Sequence, residues 1–328
     1  MRSSDLALAQ ITSAWPGSMR LFEAFVDKCV EKDFYLDENF LARCLICIAT
    51  KQAKFENIGR MSAEKLKDAW ELTKKGVQKT VNFLKNNALV DSSALLPSPI
   101  LLVPLVYHAS RNDISETAKS ENGFLLWFYN AAIWARYSGS MESRLTQDLA
   151  TLSSARPWFA LTENIWQLVG KDRKLDATDF RGKGVNSPLF FIMYVLARKN
   201  KARDLETGDV INYANFGKNN EVEYDHLFPK SKLDTFLKDL EKSDRKRTIN
   251  EIANMAFLTK QGNIIKTNED PASYFPKVYK RYDGEQLFQH QQIPYDARLL
   301  SYDNFENFLN ERARRLASET NRFLQELG

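Results

Sequence analysis

The sequence holds only three histidines, so any imidazole chemistry rests on His108, His226 and His290. His108 follows the apolar run 101–107 and reads as a helix-end or core residue. His290 lies in the polar stretch Phe288-Gln289-His290-Gln291-Gln292 and reads as exposed. His226 is different. Asp225 precedes it, Leu227-Phe228-Pro229 follows, and Asn254 and Asn263 come later in the chain. An Asp-His pair alone is commonly structural; the ordered set gives it chemical sense. Cleaving a phosphodiester requires a proton to be taken from water, which neutral imidazole does near neutral pH. It also requires positive charge against the phosphoryl oxygens, which a hard cation supplies. A carboxylate and an amide carbonyl, with water completing the shell, suit Mg2+ (or Mn2+).

Those demands fix what the surrounding elements must do. Val222, Tyr224 and His226 alternate with Glu223 and Asp225, the period of a strand. The strand end is expected to send Asp225 and His226 to opposite sides, the carboxylate toward a cation and the imidazole toward the attacking water. A helix or turn from Asn263 toward Pro271 would deliver the second metal ligand. Asn254, in the intervening segment, would bind backbone and hold His226 in orientation. Ser231-Lys232-Leu233-Asp234 reads as the start of a helix running to about Glu241, residues 243–248 as a charged loop, and residues 253–259 as a second short extended segment.

Ahead of this region, helix follows helix. Ile11 and Trp15, then Phe22, Phe25 and Val26, recur at helical spacing. Residues 40–50 form a further helix, and Ser62 opens a long one carrying Leu66, Trp70, Val77, Val81 and Leu84. Residues 123–136 form a very apolar helix, broken by Tyr137-Ser138-Gly139, with Ser140 as the expected cap of 141–149. Polar residues 171–174 read as a linker, giving domains at 1–170 and 171–328. The expected fold class is mainly α (α+β): a helical bundle domain, then a helical domain embedding a small motif at about 220–275.

Composition narrows the classes. With 44% hydrophobic residues, the chain has enough apolar material for real cores, which excludes a disordered protein. The longest apolar run, 189–197, falls far short of the ~20 residues of a membrane helix, and the N-terminal residues lack an apolar signal segment. A soluble, cytoplasmic protein is expected. Cys29, Cys44 and Cys47 include one C-x-x-C but no second pair, so they read as buried structural thiols. The net charge of +4 permits a polyanionic partner.

Asp225-His226-Leu227-Phe228-Pro229, Asn254 and Asn263 resemble the ββα-metal (His-Me finger) HNH nuclease motif. The form is that of the C-terminal domain of GmrSD-type modification-dependent restriction endonucleases. The phrases Tyr224-Asp225-His226-Leu227-Phe228-Pro229-Lys230-Ser231 and Ile249-Asn250-Glu251-Ile252-Ala253-Asn254-Met255-Ala256-Phe257-Leu258-Thr259 carry the likeness. The ending Asn304-Phe305-Glu306-Asn307-Phe308, with Arg312, Arg314 and Arg315, carries it more loosely. In the first half, Phe34-Tyr35-Leu36-Asp37 and Arg136-Tyr137-Ser138-Gly139-Ser140 are similar to the helical middle region of the same proteins. The resemblance implies His226 as general base, Asp225 and Asn263 as Mg2+ ligands, Asn254 as the loop-orienting residue, and Asn250 in support.

Proteins of this type begin with a ParB-like NTPase domain carrying an Asp-Gly-Gln-Gln-Arg signature. That signature is not found here, so such a domain or subunit is an expected partner. Lys230, Arg245, Lys246, Arg247, Lys260 and Lys266 surround the motif and are candidate DNA phosphate contacts. The reading is a metal-dependent DNA endonuclease of a restriction or anti-phage system. The rival is a helical DNA- or protein-docking fragment whose nuclease site is silent without its NTPase partner. A ribonuclease is a third reading, since the motif does not distinguish DNA from RNA.

Overall fold

The structure, a computed structural model, describes residues 3–55, 58, 61–171, 173–212, 222–266, 268–282 and 284–328. Asp172 of the expected linker lies outside the described residues. The chain divides into two compact units, one running up to Arg173 and including Leu327–Gly328, the other Lys174–Glu326. The fold is mainly α, with one two-stranded sheet among the described residues. No described helix is long and apolar enough to cross a membrane.

The first unit contains helices α1 (Ser3–Ala14), α2 (Ser18–Val30), α3 (Glu38–Thr50), α4 (Ala63–Asn87), α5 (Val103–Ala109), α6 (Ala118–Ile133), α7 (Met141–Thr151) and α8 (Pro157–Val169). Every residue of α3 from Phe40 to Ile48 is buried, which makes it the central helix of the unit. Long α4 is amphipathic and is capped by the Ser62 hydroxyl, which accepts from the Lys65 N–H at 3.3 Å. Cys29, Cys44 and Cys47 are free and buried, and burial pushes the Cys47 thiol up to about 12, so these thiols are inert.

Two expectations change here. Helix α6 stops at Ile133 rather than Arg136, because Ala135 takes a left-handed turn with φ of 44°. The turn frees Arg136 to point inward, where its Nε and Nη2 bind Asp148 at 3.1 and 2.9 Å, with the Tyr137 hydroxyl donating to the same carboxylate at 2.6 Å. Ser140 precedes α7, but its side chain makes no capping bond.

The second unit contains α9 (Ala177–Phe180), α10 (Pro188–Lys199), β1 (Val222–His226), α11 (Lys230–Phe236), α12 (Lys242–Ile249), β2 (Met255–Thr259), α13 (Lys260–Ile265), α14 (Pro271–Arg281), α15 (Gly284–Gln289) and α16 (Phe305–Leu327). The strands pair antiparallel, Val222 with Thr259 through His226 with Met255. Apolar side chains pack against the pair. Phe190 of α10 meets Tyr224 and Phe257, each at 5.1 Å between ring centres. Behind the end of β1, Phe228 packs against Phe305 and Phe308 at the start of α16, each at 4.9 Å. The outer edge of β2 meets a side chain: Gln291 accepts from the Phe257 N–H at 2.8 Å and donates to its carbonyl at 3.0 Å.

Two segments differ from expectation. Helix α11 starts at Lys230 and ends at Phe236, with no side-chain cap from Ser231. Residues 243–248 are not a loop but lie within α12. That helix buries only Ile249, so it shows no apolar period to read. It is supported instead by Asp244 in its first turn and Lys246 and Arg247 in its last, the charge order that suits a helix dipole.

Candidate active site

Strand β2 is buried along its whole length, whereas β1 is half-buried and brings Asp225 and His226 to the surface. After His226 the chain turns sharply, and one buried side chain holds that turn. Asn254 accepts from the Phe228 N–H at 2.9 Å and donates to the carbonyls of Phe228 and Ile249 at 3.3 and 3.0 Å. Its own carbonyl accepts from the Leu227 N–H at 2.7 Å. Asn254 thus satisfies backbone groups that no ladder reaches. It sets where β1 ends, and therefore where His226 begins.

The imidazole itself is held by a different residue. His226 Nε2 lies 3.0 Å from Asn250 Oδ1. The Asn250 amide cannot flip freely, because its Nδ2 donates to the Lys246 carbonyl at 2.7 Å. The atom facing His226 is therefore an oxygen, which only accepts. Nε2 therefore carries a proton in either charge state of the ring, and Nδ1 is the nitrogen that gains or loses one. Asn254, the expected loop-orienting residue, binds the backbone of the turn that follows His226, and Asn250 contacts the imidazole itself.

His226 Nδ1 stands 3.5 Å from Asp225 Oδ1. The two side chains lie together rather than on opposite sides. His226 is the last residue of the ladder and the chain turns directly after it, so strand alternation no longer governs its direction. Lys266, its side chain 5% exposed, donates to Asp225 Oδ2 and to the His226 carbonyl. Burial works against an ionised Asp225, but His226 and Lys266 outweigh it and hold the carboxyl well below the usual carboxylate range. Lys266 is therefore part of the site's frame, not the surface phosphate contact expected of it.

Asn263 sits on α13, whose start is capped by the Thr259 hydroxyl accepting from the Gly262 N–H at 3.0 Å. Its Nδ2 donates to Glu223 Oε2 at 2.6 Å. Glu223 is two residues before Asp225 and so shares its face of β1. The junction of β2 and α13 rests on Asp204, which is fully buried. Its Oδ2 accepts from the Thr259 N–H and hydroxyl at 2.6 and 2.7 Å, and its Oδ1 from the N–H groups of Glu206 and Thr207 at 2.6 and 3.0 Å. Residue 262 must be glycine, because a Cβ there would lie 2.0 Å from Asp204 Oδ2. Glu223 and Asp204 were not singled out from sequence. The strand period gave no reason to prefer Glu223, and Asp204 lies in an irregular segment far from the motif in sequence.

The remaining basic candidates are scattered around this frame. Lys230, Lys246 and Arg247 are exposed, and Arg245 and Lys260 are half-buried. Arg245 pairs with Asp234 at 3.2 Å and Arg247 with Asp244 at 3.1 Å. Helix α12 nevertheless ends at the imidazole, through the link from Lys246 to Asn250 to His226.

Among the described residues, no three His, Cys, Asp or Glu side chains converge as a ready-made metal cage. Asp225, Glu223 and the Asn263 carbonyl oxygen are all hard oxygen donors. That donor set fits Mg2+, which is commonly held by one or two carboxylates together with substrate phosphate.

An acid–imidazole pair at the end of a two-stranded sheet, backed by a short helix, forms a site for acid–base chemistry. Residues 171–318 match the family model described as GmrSD restriction endonucleases, C-terminal domain. That stretch is therefore similar to the C-terminal domain of restriction endonucleases. No curated protein matches the chain.

Proposed function

We propose that the Lys174–Glu326 unit is a metal-dependent DNA endonuclease of HNH type, serving restriction of foreign DNA. The observation that carries this reading is the placement of the His226 ring: Asn250 Oδ1 lies against Nε2, and Nδ1 stands beside Asp225. In this reading, Nδ1 accepts the proton of the attacking water, and Asn250 stabilises the imidazolium that forms. Asp225, Asn263 and Glu223 are the groups that would hold the cation. Bound there, Mg2+ or Mn2+ would supply positive charge against the phosphoryl oxygens. Lys266 keeps Asp225 ionised and tethers it to the backbone of His226. Exposed Lys230, Lys246 and Arg247, with Arg245 and Lys260, would contact phosphates and position the duplex without reading its sequence. One such site cuts one strand, so nicking is the elementary act. A ParB-like NTPase domain or subunit is the proposed partner, and co-purification of the two would test it.

The test is nicking of supercoiled plasmid with Mg2+ or Mn2+, comparing the chain with its His226→Ala variant. Metal-dependent nicking that disappears in the variant supports the reading. Nicking that survives in the variant removes His226 from its role. DNA binding without nicking in either protein would favour the docking-fragment reading.

A further inference from the structure

A cavity of about 480 Å3 lies in the first unit between α5, α6 and the start of α8, outside the residues that match the family. This volume falls within the roughly 300–1,000 Å3 typical of small-molecule sites. Its walls include three flat rings. Trp158 lies over α6 at Gly123, where a Cβ would come within 2.1 Å of the indole. Phe124 sits 6.0 Å from Trp158 and 4.8 Å from His108, centre to centre. Burial, with Lys79 nearby, lowers His108 to about 4, so the imidazole is neutral and can both donate and accept.

Arg111 supplies the charge. Its Nη2 donates to the Ile48 carbonyl at 3.1 Å, its Nη1 to the Ser110 hydroxyl at 3.0 Å, and its guanidinium lies over the Tyr107 ring at 5.0 Å. All these partners are neutral, and among the described residues no carboxylate pairs with it. The guanidinium is thus held in place by neutral partners, an arrangement that suits bidentate binding of a phosphate. Lys51 lines the same cavity, and α8 begins there with Pro157 and without a side-chain cap. Asp113 and Glu116 also line the mouth and offset part of that charge. A bare anion would therefore gain little, and a ligand must use the rings as well.

We propose that this cavity binds a nucleotide, its base against Trp158 and its phosphate at Arg111 and Lys51. The nucleotide is either free or part of a nucleic-acid strand, and the test separates the two sources. The four deoxynucleoside monophosphates, their nucleosides and inorganic phosphate are titrated calorimetrically into the full chain. A single-stranded oligonucleotide is titrated in parallel. Arg111→Gln and Trp158→Leu are compared throughout, with circular dichroism to confirm folding. Monophosphates should bind more tightly than nucleosides or phosphate, and each substitution should weaken binding at least tenfold, which assigns a free nucleotide. If only the oligonucleotide shows this dependence on both residues, the ligand is a nucleotide within a strand. The proposal is overturned if neither ligand binds, if phosphate alone binds as well as the monophosphates, or if Arg111→Gln leaves binding unchanged. The readout does not involve nicking, so it stands whichever way the endonuclease test falls.

Discussion

Replacing Asp204 by Asn removes one charge and almost no volume, yet it should unsettle the helix that carries Asn263 and Lys266. The wild-type carboxylate accepts four bonds, two on each oxygen, from groups that are mostly backbone N–H. An amide can keep only one oxygen. Its better orientation turns Nδ2 toward Thr259, whose hydroxyl can reverse and accept, and leaves the Thr259 N–H facing another N–H. One charge-assisted bond is lost and the others weaken; at about 1.5–3 kcal/mol for each such bond, the cost is about 3–4 kcal/mol. Urea unfolding followed by circular dichroism measures it, and hydrogen exchange over residues 255–266 localises it. All six tryptophans precede residue 174, so their fluorescence checks that the first unit remains folded. A loss below about 1 kcal/mol, or unchanged protection over 255–266, would refute the view that Asp204 holds this junction.

Three further outcomes follow from the same geometry. Asn250→Leu should lower single-turnover nicking by about 10–100-fold with little change in DNA affinity, because it frees the imidazole without touching phosphate contacts. Lys266→Met should bring the Asp225 carboxyl back up, as seen by carboxyl NMR titration; its stability cost should be present at pH 7 and fade as acid protonates Asp225. His108 is held neutral in the fold down to about 4 against 6.5 in the unfolded chain, so the unfolded form binds more protons in that interval. Stability of the first unit, followed by tryptophan fluorescence, should therefore be highest above pH 6.5 and fall by up to about 3 kcal/mol toward pH 4, a slope that His108→Gln should flatten.

The helices were legible where apolar residues recur at helical spacing, as in α2 and α4. Helix α12 was not, since charge order rather than burial supports it. The strand carrying Asp225 and His226 showed its alternation plainly. What alternation could not show is that the ladder ends at His226 and lets the two side chains meet. Asn250 and Asn254 were both singled out, but their roles depend on which carbonyls lie within reach, and only the fold decides that. Asp204 had no local sign at all: its partners are mainly backbone groups, and Thr259 lies 55 positions away.

The amide of Gln291 bears on how this unit behaves at high concentration. A sheet of two strands leaves an outer edge, and an open edge invites pairing with another molecule. At Phe257 the edge is already occupied, because Gln291 presents a donor and an acceptor just as a neighbouring strand would. The same amide donates to the Arg203 carbonyl at 3.3 Å, so it is tethered on its far side as well. One side chain thereby stands in for a third strand and guards the buried strand against intermolecular β-pairing, while the opposite strand stays free to present its reactive end.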